Sequence, residues 1–185
     1  MSDFQAKLSA LLPHPDTSNG AVRRLDAGVE LTADHTLRFQ YVLDTDLQRV
    51  RIPQPAPGGG RADRLWTHTC FEAFIAIDDS TGYLELNFSP SGQWAAYRFD
   101  AYRQGMGAAE LAAAPTLRVD QSERQLKLHA TLRMALAGRL RIGLSAVLED
   151  DAGGMSYWAL RHPPGRPDFH HPESFPLALE LPTTR

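Results

Sequence analysis

Tyr83-Leu-Glu-Leu-Asn-Phe-Ser-Pro-Ser-Gly-Gln-Trp-Ala-Ala-Tyr-Arg-Phe99 is the stretch that decides the fold. Its two runs alternate apolar and polar residues with period two, the pattern of a half-buried strand. Between them Ser89-Pro-Ser-Gly92 supplies turn formers, so the runs close as an antiparallel hairpin. With Phe88 set opposite Gln93, Asn87 faces Trp94, Glu85 faces Ala96 and Tyr83 faces Arg98. Leu84, Leu86, Phe88, Ala95, Tyr97 and Phe99 then make the core side. Tyr83, Glu85, Asn87, Trp94, Arg98 and Asp100 make the other.

The preceding run, Leu65-Trp-Thr-His-Thr-Cys-Phe-Glu-Ala-Phe-Ile-Ala-Ile77, sorts the same way. Read as one strand, it puts Phe71, Ala73, Ile75 and Ile77 on one face and Trp66, His68, Cys70, Glu72 and Phe74 on the other. A one-residue slip would turn every side chain over, so its apolar face must join the hairpin's. That constraint sets Ile75 near Leu86 and Ala73 near Phe88. Trp66, Glu72 and Phe74 then share a surface with Asn87, Trp94 and Arg98.

Outward from these strands, Gly and Pro cut the chain into short segments with strand patterning. Strands are predicted near 21–32, 35–43, 65–77, 83–89, 93–102, 115–120, 125–133, 139–149, 155–161 and 175–181. Residues 53–64, opening Pro-Gln-Pro-Ala-Pro-Gly-Gly-Gly, read as a flexible surface loop outside any ladder. A short N-terminal helix is predicted over 3–12, with Phe4, Leu8, Leu11 and Leu12 on one face and Pro13 as its stop; residues 1–20 form the helix and lead-in. A second helix over 105–113 rests on its Ala content. So many short strands at hairpin spacing imply an all-β chain, an antiparallel β-sandwich or barrel. The 185 residues suffice for one domain, 1–185, with its own core.

Composition narrows the function. A net charge of −3 argues against nucleic acid or an anionic membrane as partner. No apolar run approaches the ~20 residues needed to span a bilayer. The single cysteine, Cys70, excludes an internal disulfide and fits a reducing compartment, and Met1-Ser-Asp-Phe-Gln carries no readable secretory signal. These features set the expectation of a cytoplasmic protein, and leave the oligomeric state open.

Planar aromatics beside Glu, Asn and Arg suit a sugar, whose C–H face stacks on a ring while its hydroxyls take paired donors and acceptors. The simpler reading is a polar sheet face turned to water, or an aromatic face packed under the chain's own loops as a structural or protein-interaction module. His68 and Cys70, two residues apart on one face, could form a thiolate pair, but no helix N-terminus follows to lower the thiol's pKa. His162, His170 and His171 lack a second ligand pair at zinc spacing. Asp44 and Asp46, or Asp78 and Asp79, could offer oxygens to calcium but read as turn residues. No phosphate-binding or dinucleotide-binding glycine pattern is present.

The segments Leu65-Trp-Thr-His-Thr-Cys-Phe-Glu-Ala-Phe, Tyr83-Leu-Glu-Leu-Asn-Phe-Ser-Pro-Ser-Gly-Gln-Trp, Tyr157-Trp-Ala-Leu and Gly165-Arg-Pro-Asp-Phe-His-His-Pro-Glu-Ser-Phe175 resemble bacterial DOMON-like proteins, which are similar to family 9 carbohydrate-binding modules. The resemblance spans roughly residues 10–181. It implies a jelly-roll β-sandwich acting as a non-catalytic module for a sugar or small glycan, with two tryptophans sandwiching a terminal sugar. Carried onto this chain, Trp66 and Trp158 match those tryptophans and Glu72 a glutamate six residues on, with Asn87 and Arg98 as further polar contacts. No cofactor is expected, with calcium left open. The calcium loops of those modules are not recognisable here, and nothing in the spacing of Met106 or Met155 supports the Met/His haem ligation of distant members.

Overall fold

The computed structural model describes residues 7–17, 20–78, 80–134 and 138–180. Its strands are β1 (Ser9–Ala10), β2 (Leu12–Pro13), β3 (Val22–Leu31), β4 (Thr36–Thr45), β5 (Gly60–Arg61), β6 (Cys70–Ile77) and β7 (Tyr83–Phe88). There follow β8 (Gln93–Phe99), β9 (Gly107–Ala108), β10 (Thr116–Gln121), β11 (Gln125–Arg133), β12 (Arg139–Glu149), β13 (Met155–Ala159) and β14 (Leu177–Glu180). They form two sheets, β1-β3-β4-β11-β10 and β2-β13-β12-β6-β7-β8-β5, with β14 added on β12 and β9 on β8. The chain is thus the all-β antiparallel sandwich expected, and among the described residues β5 is the one strand paired in parallel, with β8.

The core follows from period-two patterning on both sheets. Phe39, Tyr41 and Leu43 of β4 and Leu126, Leu128 and Ala130 of β11 face inward. They meet Phe71, Ala73, Ile75, Leu86 and Phe88 from β6 and β7, and Leu140 to Leu148 on alternate positions of β12. Tyr41 is fully buried, yet its hydroxyl crosses the core to donate to the Glu72 carbonyl oxygen at 2.7 Å. This bond ties one sheet to the other beneath a strand that carries candidate site residues. Tyr41→Phe is therefore expected to cost about 1–2 kcal/mol, read as a lower urea midpoint at unchanged slope.

Strand β12 serves two partners end to end. Ser145–Glu149 pairs with β13, and Arg139–Ile142 pairs with β14 on the same side. The chain between those two strands leaves the sheet and folds back over its outer face.

Several expectations about the elements are corrected. Of the predicted 3–12 helix, residues 3–6 lie outside the described set, and the remainder is extended. Ser9–Ala10 pairs with β3 in one sheet, and Leu12–Pro13 with β13 in the other. Leu11 alone is drawn into the core at 2% exposure, while Leu8 and Leu12 face solvent. One inward residue between two outward ones suits a strand crossing between sheets, not a helix stripe. Over 105–113, Gly107–Ala108 pairs with β8 in place of a helix, and Gly105 and Gly107 explain the weak helical drive.

In the 53–64 loop, Gly60–Arg61 joins the sheet after all, and the Arg61 guanidinium lies 5.1 Å over the Trp94 ring. Finally, strand β6 begins only at Cys70, because Leu65–Thr67 forms a 3-10 turn entered from Arg64 at φ +58.

The hairpin closes one residue differently from expectation. Ser89 pairs with Gln93: Ser89 N donates to Gln93 O at 2.9 Å, and Gly92 N donates back to Ser89 O at 3.0 Å. Gly92 takes φ +86, so the connection is a three-residue loop with a left-handed last residue. Phe88 consequently faces Trp94, and Glu85 faces Tyr97. This shift turns β8 over: Tyr97 and Phe99 join the Glu85 face, while Trp94 and Arg98 leave it. Strand β6 keeps its predicted face but lies two residues along from the predicted register, with Ala73 opposite Leu86 in place of Phe88, Ile75 opposite Leu84, and Glu72 opposite Asn87.

Candidate functional site

The outer face of the larger sheet carries a second apolar cluster. Phe74, Tyr83, Tyr97, Phe99 and Val147 rise from β6, β7, β8 and β12, and Phe169 and Phe175 come down on them from the 160–176 segment. Phe74 stacks on Phe175 at 5.7 Å between ring centroids, and Tyr83 on Phe99 at 4.7 Å. This approach needs Gly143 on β12: a Cβ there would lie 2.7 Å from the Phe175 ring and from the Ser174 carbonyl oxygen. The roof is further pinned by Ser174 Oγ, which donates to Asp168 O at 2.9 Å.

The roof leaves a cavity of about 400 Å³ between itself and the sheet. Trp66, Phe99, Tyr157 and Phe169 give it aromatic walls, and Glu72, Glu85, Arg103 and His170 line it with polar groups. A larger depression of about 750 Å³, between Arg23, Asp46–Gln48 and Gln121–Arg124, has no aromatic wall. Size and mixed lining fit the roofed cavity to a small organic ligand.

Its electrostatics follow from burial. Glu72 and Glu85 are 3% and 5% exposed. Glu72 Oε2 accepts from Ser145 Oγ at 3.4 Å, and Glu85 Oε1 accepts from Asn87 Nδ2 at 2.7 Å. Desolvation is the main cause that pushes the Glu72 carboxyl well above the usual range, and the neighbouring Glu85 adds to it. Desolvation also raises Glu85, against the Asn87 bond and the Arg103 charge.

At the rim, Arg103 Nη2 donates to Asp168 Oδ1 at 2.8 Å, and the Tyr102 hydroxyl donates to Asp168 Oδ2. Burial works against the Asp168 carboxylate, but these bonds hold its pKa below the ordinary value. The Tyr83 hydroxyl lies 2.8 Å from His170 Nδ1 and accepts from Arg103 N at 3.2 Å. It is thereby free to donate to Nδ1, which puts the neutral imidazole's proton on Nε2, 3.8 Å from Glu85 Oε2. Burial, with the Arg103 charge, lowers the His170 pKa to about 4, against the pull of Asp168.

No protein-family model matches the chain, and no curated protein matches it in sequence. Solved structures do match. A candidate carbohydrate-binding protein from Bacteroides uniformis superposes with a TM-score of 0.71 at 12% identity, covering 96% of this chain and 87% of that one. A family 9 carbohydrate-binding module from Caldicellulosiruptor kristjanssonii, in complex with glucose, gives 0.56 at 9% identity, over 96% and 86%. The same type of module in complex with cellotriose gives 0.58 at 9%, over 95% and 82%. The fold is that of a family 9 carbohydrate-binding module.

On this family 9 fold, the predicted residues part into two groups. Trp66 and Glu72 line the cavity, and Asn87 lies beneath it, bonded to Glu85. Trp66 arrives on the 3-10 turn rather than on the strand, its ring 5.6 Å from Tyr97 and edge-on to it. Arg98 and Trp158 are not brought in. Arg98 lies on the other side of β8 and pairs with Asp100 at 3.1 Å. Trp158 sits opposite Ala146 in the inter-sheet core, 4% exposed, with Nε1 donating to Ser156 Oγ at 3.0 Å. Its neighbour Tyr157, opposite Val147, is the residue of that strand that reaches the cavity.

The sequence reading missed Arg103, Tyr157 and the roof residues Phe169 and His170. Period two was the available signal for Tyr157: once Trp158 is core, Tyr157 must face outward.

The other candidates take separate partners. His68 Nδ1 contacts Glu149 Oε2 at 2.7 Å instead of the thiol. Cys70 is fully buried, its pKa pushed well up by burial and then by Glu72, and its Sγ donates toward Asn87 Oδ1 at 3.5 Å. His162 Nε2 contacts Leu12 O, His171 Nδ1 accepts from Glu173 N, and His170 enters the cavity. Asp44 pairs with Arg23, Asp46 caps the 3-10 turn Leu47–Arg49, and Asp78 pairs with Arg139 and Arg141. Asp79 lies outside the described residues. Among the described residues no group of three or more His, Cys, Asp or Glu side chains is placed to hold a metal ion, and no helix is long and apolar enough to cross a membrane.

Proposed function

We propose that the chain is a non-catalytic sugar-binding module whose ligand occupies the roofed cavity. The observation that carries this reading is the pairing of aromatic walls, Trp66 and Tyr157, with buried acceptors, Glu72 and Glu85, around about 400 Å³. A monosaccharide or the terminal unit of a short glycan offers apolar C–H faces to rings and hydroxyls to carboxyl oxygens. The solved modules of this fold, held with glucose and with cellotriose, support the same ligand class. The sugar contacts proposed are Trp66 and Tyr157 for stacking, with Glu72, Glu85 and Arg103 for hydroxyls. Asn87 acts by holding Glu85.

Titration calorimetry with glucose, cellobiose and cellotriose tests the reading. Saturable heat is expected for at least one sugar, and none at ~10 mM would sink it, because such a site is expected to bind in the millimolar range or tighter. Trp66→Ala should weaken that binding about tenfold or more while leaving the thermal midpoint nearly unchanged, since Trp66 is only half-buried. Unaltered affinity in this variant would remove Trp66 from the site.

A further inference from the structure

The cavity sets two buried carboxyls beside each other, one more ionisable group than a neutral sugar needs. Glu72 and Asn87 are directly opposed on β6 and β7, so Glu85, two residues from Asn87, lies diagonally across the same face. Such diagonal neighbours are roughly 7–8 Å apart at Cα and within reach of long side chains. Each carboxyl spends one oxygen on a neutral partner, Ser145 or Asn87. Among the described residues neither Glu72 Oε1 nor Glu85 Oε2 has a hydrogen-bond partner, the His170 Nε2 atom being 3.8 Å from the latter. Both side chains are more than nine-tenths buried and line the cavity.

The nearby cation offsets this charge only in part. Arg103 is committed to Asp168 at 2.8 Å, so the pair is neutral as a unit. A buried carboxylate without a counter-charge is costly, and two beside each other more so. A metal would need further ligands, and no such third group is placed there among the described residues. An ammonium needs none: two of its three N–H donors can meet the two free carboxyl oxygens, and aromatic walls favour a cation.

We propose that the ligand is a sugar bearing a protonated amine, with the ammonium held between Glu72 and Glu85. The proposal rests on the sugar-binding reading and narrows it to one chemical class. The cation replaces the proton that the pair otherwise retains, so binding releases a proton to solvent.

The experiment compares glucosamine, glucose and N-acetylglucosamine by calorimetry at about pH 6, in two buffers of different ionisation enthalpy. Glucosamine is expected to bind at least about tenfold more tightly than the other two, with proton release for glucosamine alone. Glu72→Gln and Glu85→Gln, each checked by its thermal midpoint, are expected to cut that preference to within about threefold. Equal or tighter binding of glucose or N-acetylglucosamine overturns the amine while leaving the sugar site standing. A preference unchanged in both variants overturns the placement between the carboxyls. No binding of any of the three while cellobiose or cellotriose still binds overturns the amine alone, and no binding of any of the five sugars overturns both readings.

Discussion

Phe74→Ala should remove about 3–5 kcal/mol of folding stability. Phe74 is 1% exposed and central to the outer cluster, with Phe175 at 5.7 Å, Phe169 at 6.4 Å, His170 at 5.1 Å and Tyr83 at 6.4 Å. Those partners belong to the roof or to the cavity floor, so the loss is both energetic and functional. The void opened beneath Phe175 lets the 160–176 segment settle, and sugar affinity should fall with stability. Urea unfolding measures the first effect and calorimetry the second. A cost under ~1 kcal/mol would show that the roof does not depend on this ring.

Acidification gives the second large effect. The His170 pKa is 6.5 in the unfolded reference and about 4 in the folded chain. Between those values the unfolded chain binds more protons, so the native state loses stability as pH falls through that window. The full loss is roughly 3 kcal/mol. Glu72 and Glu85 have the opposite sign, because their folded pKa values are raised. Their contribution is present below the ordinary carboxylate range and is lost as pH rises through the folded values. In His170→Gln, the fall in unfolding free energy between pH 6.5 and about 4 should shrink by roughly 3 kcal/mol. An acid limb as steep as that of the unaltered chain would refute the buried, neutral imidazole.

The sandwich was legible because β11 alternates strictly and β4, β7 and β12 nearly so, and period two then assigns their faces. The same logic put Glu72 on the outer face, whereas Trp66 reaches the cavity from a 3-10 turn that the alternation does not show. Arg98 failed for a local reason: a left-handed Gly92 shortens the hairpin loop and turns β8 over, and one glycine's φ is not written in the alternation. Trp158 failed because the resemblance matches it by residue type alone, whereas period two decides the face, and on that strand Tyr157 is the residue turned to the cavity. The roof residues lie in a Pro-rich segment without period, so their contacts with Phe74 and Glu85 are tertiary and no local pattern announces them.

The double use of β12 has a consequence for how such a pocket could be re-tuned. The 17 residues from 160 to 176 depart next to Ser145, where Ala159 pairs, and return at Ile142, where Leu177 pairs. Those anchor points are three residues apart on one strand, or about 10 Å. The covering segment is therefore an exchangeable cassette, spliced into a single edge and exerting no leverage on the strand order. Doubling its length would add only about 0.6 kcal/mol of closure entropy. A lineage, or an engineer, could rewrite which ligand fits while both sheets keep their registers.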